Sequence, residues 1–130
     1  MNNSMTSLYI LLALISLTIK VFAESSLRWP LDIKPALSST FGESRSTSFH
    51  MGIDFKTWGR TGYLVRAISD GHVERIRTSP WGYGRAIYLR LKDGRLAVYA
   101  HLEEFSEFLK KPIASAQLKK GFYSTDIWLE

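Results

Sequence analysis

Cysteine is absent from all 130 residues. That excludes disulfide staples, thiolate metal sites and cysteine nucleophiles, so any bound metal must be held by nitrogen and oxygen donors. Histidine is scarce: His50, His72 and His101 are the only three, and a site built on imidazole must draw on them. No run of like charge extends beyond the pairs Lys110-Lys111 and Lys119-Lys120, so the net charge of +5 reads as a scattered, solvated surface. Such scatter argues against nucleic acid as the partner, while an overall basic balance suits anionic envelope polymers. The chain has no internal repeat or low-complexity tract, and its length allows one hydrophobic core. With 45% hydrophobic and 22% charged residues, it has the composition of a folded globular protein rather than of a disordered tail.

A long hydrophobic run is also missing. The most apolar stretch, Leu8–Ile19, has twelve residues, short for a bilayer span but of the right length for the core of a secretory signal. Val21 and Ala23 are small residues at the positions a signal peptidase reads, which predicts a signal peptide over 1–23 and a mature domain over 24–130. Setting residues 1–23 aside removes Lys20 and leaves a charge of +4. The segment before the run carries no Lys or Arg, which leaves an uncleaved anchor as the alternative, although Lys20 would interrupt a longer span. The expected location is outside the cytoplasm, in the periplasm or cell envelope, with no stable membrane insertion after cleavage.

The remainder reads as short strands divided by turns. Ala86–Leu91 and Leu96–His101 are rich in β-formers and flank Asp93-Gly94, predicting a hairpin with a two-residue type I′ turn. Two more strands are expected on either side of Asp70-Gly71, and two earlier ones in "LSSTFG" and "FHMGIDF". The spacing suggests a compact antiparallel β-sandwich or barrel. One short helix is expected at about residues 103–111, where Phe105, Phe108 and Leu109 fall on one face, acids lead, lysines follow and Pro112 ends the run.

"FHMGIDF" sets His50 and Asp54 four residues apart. Two ligands of one zinc must come within about 3 to 4 Å of each other. A straight strand would hold these two about 13 Å apart. A helix is disfavoured by Met-Gly-Ile, so a shared metal requires a bend, and Gly52 is the place for it. On spacing alone, a hydrogen-bonded or surface His/Asp pair remains the plain alternative.

The order and spacing of "FGESR", "FHMGIDF", "VRAISDGHVERI", "WGYGRAIYL" and "VYAHL" resemble the lysostaphin-like zinc metallopeptidases, a family of peptidoglycan endopeptidases. The resemblance runs from about Leu37 to Leu102. It rests on His-x-x-x-Asp at His50–Asp54, Asp-Gly-x-Val at Asp70–Val73, the glycine-rich aromatic turn at Trp81–Gly84, and Tyr-x-His-Leu at Tyr99–Leu102. It implies an antiparallel β-fold with a groove, zinc held by His50 and Asp54, His101 as a catalytic histidine beside the metal, and peptidoglycan peptides as substrate. For His101, a hydrogen-bonded histidine at a strand end is the alternative. His72 is expected to be an exposed turn residue. Arg45 either reaches the groove or forms a structural salt bridge, and Trp81 and Tyr83 either wall the groove or pack on the sheet.

One part of the pattern is missing. The family's third ligand comes from a downstream His-x-His segment, and no histidine follows His101. The expectation is therefore a truncated N-terminal portion of a zinc metalloendopeptidase with weak or no activity, exposing unpaired sheet edges. The alternative is a non-catalytic envelope-binding or hydrolase-regulating module of the same fold.

Overall fold

The computed structural model describes residues 27–129, so the signal peptide expected over 1–23 lies outside the described residues. The fold is mostly β, with two antiparallel sheets and one helix. The smaller sheet pairs β1 (Leu37–Ser39) with β2 (Asp54–Phe55). The larger has four strands in the order β5-β4-β3-β6, formed by β3 (Gly71–Thr78), β4 (Arg85–Leu91), β5 (Leu96–Tyr99) and β6 (Thr125–Trp128). Neither sheet closes into a barrel among the described residues.

The expected hairpin is present as β4–β5, but its turn differs. Gly94 N donates to Leu91 O at 3.0 Å and Leu91 N to Arg95 O at 2.9 Å, giving a three-residue loop, Lys92 to Gly94. A type I′ turn needs positive φ at both central residues. Only Gly94, at +88°, has it here, so the chain forms a type I turn closed by a glycine bulge. Upstream of Asp70 the second expected strand reduces to a single bridge, Leu31 to Val65. That segment is tied instead to residues 28–32 by Arg66 N to Pro30 O (2.8 Å) and Arg28 N to Ile68 O (2.7 Å).

β3 begins at Gly71 for a steric reason: a Cβ there would lie 2.2 Å from the Arg90 carbonyl oxygen. Only glycine lets the two strands meet at that register. A bulge between Val73 and Arg75 then sets alternate residues on opposite faces. Ile76 and Ile127 are register partners, and both pack in one cluster with Ile87, under the helix.

The helix, α1, runs from Glu107 to Lys120 rather than over 103–111. Pro112 lies inside it and does not end it. Beyond Pro112 come Ala114, Ala116, Gln117 and Leu118, all strong helix formers, and the stop is Gly121, left-handed at φ 69°, whose N–H reaches Gln117 O and Leu118 O. Glu107 in the first turn and Lys119 and Lys120 in the last complement the helix dipole. Leu109 and Ile113, one turn apart, join Phe105 and the fully buried Ile76 in the core, whereas Phe108, expected on that face, is 74% exposed.

β6 covers the edge of β3, so that β5 and β6 are the edges of the four-stranded sheet. Arg75 fastens it, meeting Asp126 at 2.5 Å and lying over the rings of Trp128 (4.7 Å) and Tyr88 (4.9 Å). On the core side, Thr78 and Thr125 are buried. The Thr78 hydroxyl donates to Tyr123 O (2.6 Å) while Thr125 N donates to Thr78 Oγ1 (2.9 Å).

Candidate metal centre

The small sheet and the loop beside it position the site. Register in the pair places Ser39 opposite Asp54. Between the two strands the chain folds back at Gly42, where φ is +79°. Gly42 N donates to His50 O (2.7 Å) and His50 N to Glu43 O (2.9 Å), so the backbone of His50 is held against residues 42 and 43. A bend at Gly52 then brings Asp54 back towards the ring.

The outcome is a close pair: His50 Nε2 lies 3.2 Å from Asp54 Oδ1. The other ring nitrogen, Nδ1, is 3.0 Å from the Thr40 carbonyl oxygen and 2.8 Å from Ser39 Oγ. A carbonyl only accepts, so in the neutral ring the proton sits on Nδ1 and Nε2 presents its lone pair to Asp54. Two acceptors then face each other at 3.2 Å. Such a contact is repulsive unless a cation lies between them, either a proton on Nε2 or a metal ion. The separation equals that of neighbouring donors on one zinc with bonds of about 2.0 to 2.2 Å. The donor chemistry and spacing therefore fit two positions of a zinc shell. A Cβ at residue 52 would make only ordinary van der Waals contact with Nε2, at 3.8 Å.

Arg45 joins the pair from outside, donating from Nη2 to Asp54 Oδ2 at 2.9 Å. Of the two roles open to it in the sequence it takes both, lining the cleft while it forms the salt bridge. His50 is largely covered, with 12% of its side chain exposed, while Asp54 at 44% opens to solvent.

Both residues line a cleft of about 1210 Å³, which also takes in Arg45, Tyr83, Tyr99 and His101. His101 does not follow the strand alternation that would aim it with Tyr99. β5 ends at Tyr99, and His101 turns into the left-handed region at φ 56°, held by its N–H donating to Tyr83 O at 2.9 Å. The Tyr99 hydroxyl instead accepts from Ile68 N at 2.9 Å; burial pushes this phenol above its ordinary pKa, and the Ile68 N–H opposes that shift. Among the described residues no three His, Cys, Asp or Glu side chains converge as a metal-holding group. His101 thus shares the cleft with the His50–Asp54 pair without completing a third position. His72 is exposed on β3 and does not line the cleft, and Trp81 is 82% exposed outside it, while Tyr83 walls it.

Three contributors escaped the sequence reading: Ser39, Thr40 and Glu43, which surround Nδ1 or its partner. The detectable signal was the pairing of the two early strands, since aligning them places Ser39 against Asp54.

The fold and site together define a mostly β domain with a bent His-x-x-x-Asp pair on the wall of an open cleft. Compared with models of known protein families, residues 48–121, more than half of the chain, match Peptidase family M23. The chain belongs to that family, the lysostaphin-like peptidases. No curated protein and no solved structure matches it.

Proposed function

We propose that this chain is an exported zinc-dependent metalloendopeptidase domain directed at the peptide cross-links of bacterial peptidoglycan, with residues 1–23 serving as its signal peptide and 24–130 as its domain. His50 and Asp54 hold the metal, and His101 is the catalytic histidine. The observation that carries the reading is the pair of acceptors, His50 Nε2 and Asp54 Oδ1, at 3.2 Å on the cleft wall. Family membership supports the reaction class.

Zinc, when bound, supplies a Lewis acid that polarises a scissile carbonyl and makes water a better nucleophile near neutral pH. The chain's own groups do the rest. Nδ1–H of His50, donating to the Thr40 carbonyl, keeps Nε2 unprotonated and aimed at the ion. Asp54 contributes negative charge, and Arg45 steadies its second oxygen. His101 on the cleft wall can deliver a proton to the departing amine, and Tyr83 and Tyr99 bound the space in which an extended peptide lies.

Two ligands make a weak zinc site, so the 130-residue chain is expected to bind zinc loosely and to turn over wall peptides slowly or not at all. Titration of the chain with zinc chloride, followed by calorimetry, tests this. A saturable heat that disappears in both His50→Ala and Asp54→Ala supports the site. Equal binding by wild type and both variants refutes it.

A second reading draws on the lack of a third converging ligand among the described residues: an envelope-binding or hydrolase-regulating module without catalysis. Incubation with insoluble peptidoglycan separates the two. Co-sedimentation without release of soluble fragments, at saturating zinc, favours the module.

A further inference from the structure

We infer that Glu43, acting through Ser39, is a positioning residue that reinforces the Nδ1–H tautomer of His50 which the Thr40 carbonyl also favours, and that Arg45 performs the corresponding task for Asp54. This rests on the proposed metal site and extends it to residues that hold no metal themselves.

The polarity of the hydrogen bonds carries the inference. A serine hydroxyl has one proton to give. Ser39 gives it to the Glu43 carboxylate, with which Ser39 Oγ is in contact through Oε2. Arg45 Nη2 points a donor at the same Ser39 oxygen, at a long 3.5 Å. With its own proton committed and a guanidinium on one side, Ser39 Oγ can only accept from His50 Nδ1, at 2.8 Å. The Thr40 carbonyl makes the same demand at 3.0 Å. Both partners of Nδ1 therefore favour the Nδ1–H form, whereas a histidine side chain free in water favours a proton on Nε2. Glu43 is what makes the serine an acceptor. Remove that carboxylate and the serine proton is free to turn towards the ring, where it stabilises the other tautomer and places a hydrogen on the nitrogen that faces Asp54.

Arg45 completes the arrangement at the carboxylate. Its donation to Oδ2 at 2.9 Å leaves Oδ1 as the oxygen presented to Nε2. One guanidinium thus meets Asp54 directly and the serine partner of His50 at long range, and these outer residues bias which atom of each side chain is offered. Outer partners of this kind typically change metal affinity by about 10- to 100-fold when removed.

The test uses the full chain in two measurements. In metal-free protein at mildly alkaline pH, long-range proton–nitrogen correlation spectra of the His50 ring report the tautomer directly. Wild type should show the proton on Nδ1. Glu43→Met, which keeps the length and removes the acceptor, should transfer population to Nε2–H. Glu43→Gln, whose amide oxygen still accepts from Ser39, should restore the wild-type pattern, a rescue that a role for charge alone would not allow. In a Ser39→Ala background Glu43→Met should change nothing further. In the second measurement, zinc titration of Glu43→Met should show affinity reduced by about tenfold.

An unchanged ring spectrum in Glu43→Met, or an equal change with and without Ser39, overturns the proposal. Should wild type bind no zinc while the spectra behave as expected, the metal reading fails and the positioning role stands. Should zinc bind wild type and Glu43→Met alike with one common tautomer, the metal reading stands and the positioning role fails.

Discussion

At the scale of single residues, backbone strain and buried polarity decide what can be changed. His101 adopts a left-handed conformation at φ 56°, which for a non-glycine residue carries a penalty of about 1 to 2 kcal/mol. Replacing it by alanine keeps the penalty, while glycine relieves it at some expense in chain entropy. We expect His101→Gly to be more stable than His101→Ala by about 1 kcal/mol in thermal melts, with both lacking any turnover the wild type shows. Thr78 is the opposite case, a buried hydroxyl with every capacity used: it donates to Tyr123 O and accepts from Thr125 N at 2.9 Å. Thr78→Val takes this acceptor from the buried Thr125 N–H, while Tyr123 O keeps the Gln117 amide donor at 2.7 Å, and chemical denaturation should register a loss of about 1 to 3 kcal/mol. The residue scale is also where reading the sequence went furthest. The approach of His50 to Asp54 through a bend at Gly52 was legible because a straight strand would hold residues four apart about 13 Å from each other. The left-handed backbone of His101 was not, since a positive φ at a histidine leaves no mark in the sequence.

At the scale of elements, steric contacts and helix chemistry give sharper expectations. Gly71 meets the Arg90 carbonyl so closely that an added Cβ would lie 2.2 Å from the oxygen. Gly71→Ala must therefore push β3 from β4 or break their register, and a loss of about 2 kcal/mol or more is expected from equilibrium unfolding. The glycine of the Asp-Gly-x-Val motif is thus explained by strand approach, although the sequence marked it only as a turn. Pro112 leaves the Phe108 carbonyl without its helical donor in α1. Pro112→Ala should add about 1 kcal/mol or more to stability and raise the melting temperature. The helix outruns the expected 103–111 because the helix-forming run behind Pro112 carries it on and the left-handed Gly121 places its end at Lys120. Turn type was misjudged for a comparable reason: Asp-Gly suits more than one hairpin loop, and only the φ of Asp93 separates them.

At the scale of the whole molecule, ion pairs tie together segments far apart in sequence, and they share one pH dependence. The Asp126 carboxyl is held below its usual value chiefly by its hydrogen bond from Arg75, and Asp70 chiefly by that from Lys92. Asp32 and Glu74 are lowered in the same way by Arg66 and Arg90. A depressed carboxylate contributes stability that is complete above its unfolded pKa and is lost as pH falls through the lower, folded value. Melting temperature should therefore hold steady down to about pH 5 and fall below about pH 4, by a modest amount since these pairs are solvent-exposed. The antiparallel, mostly β plan was legible from hairpin and turn spacing. What escaped was the addition of β6, because "STDIWLE" has no turn signal linking it to β3 and joins the sheet only by returning across a helix. That return has a mechanical meaning. α1 crosses from one edge strand of the sheet, β5, to the other, β6, and packs on Ile76, so it cannot lift without loading the strand that follows it. Undocking of the helix and peeling of the last strand should occur as one cooperative event, and the amide protons of Ile127 and Leu129 should exchange with solvent in step with those of Leu109 and Ile113.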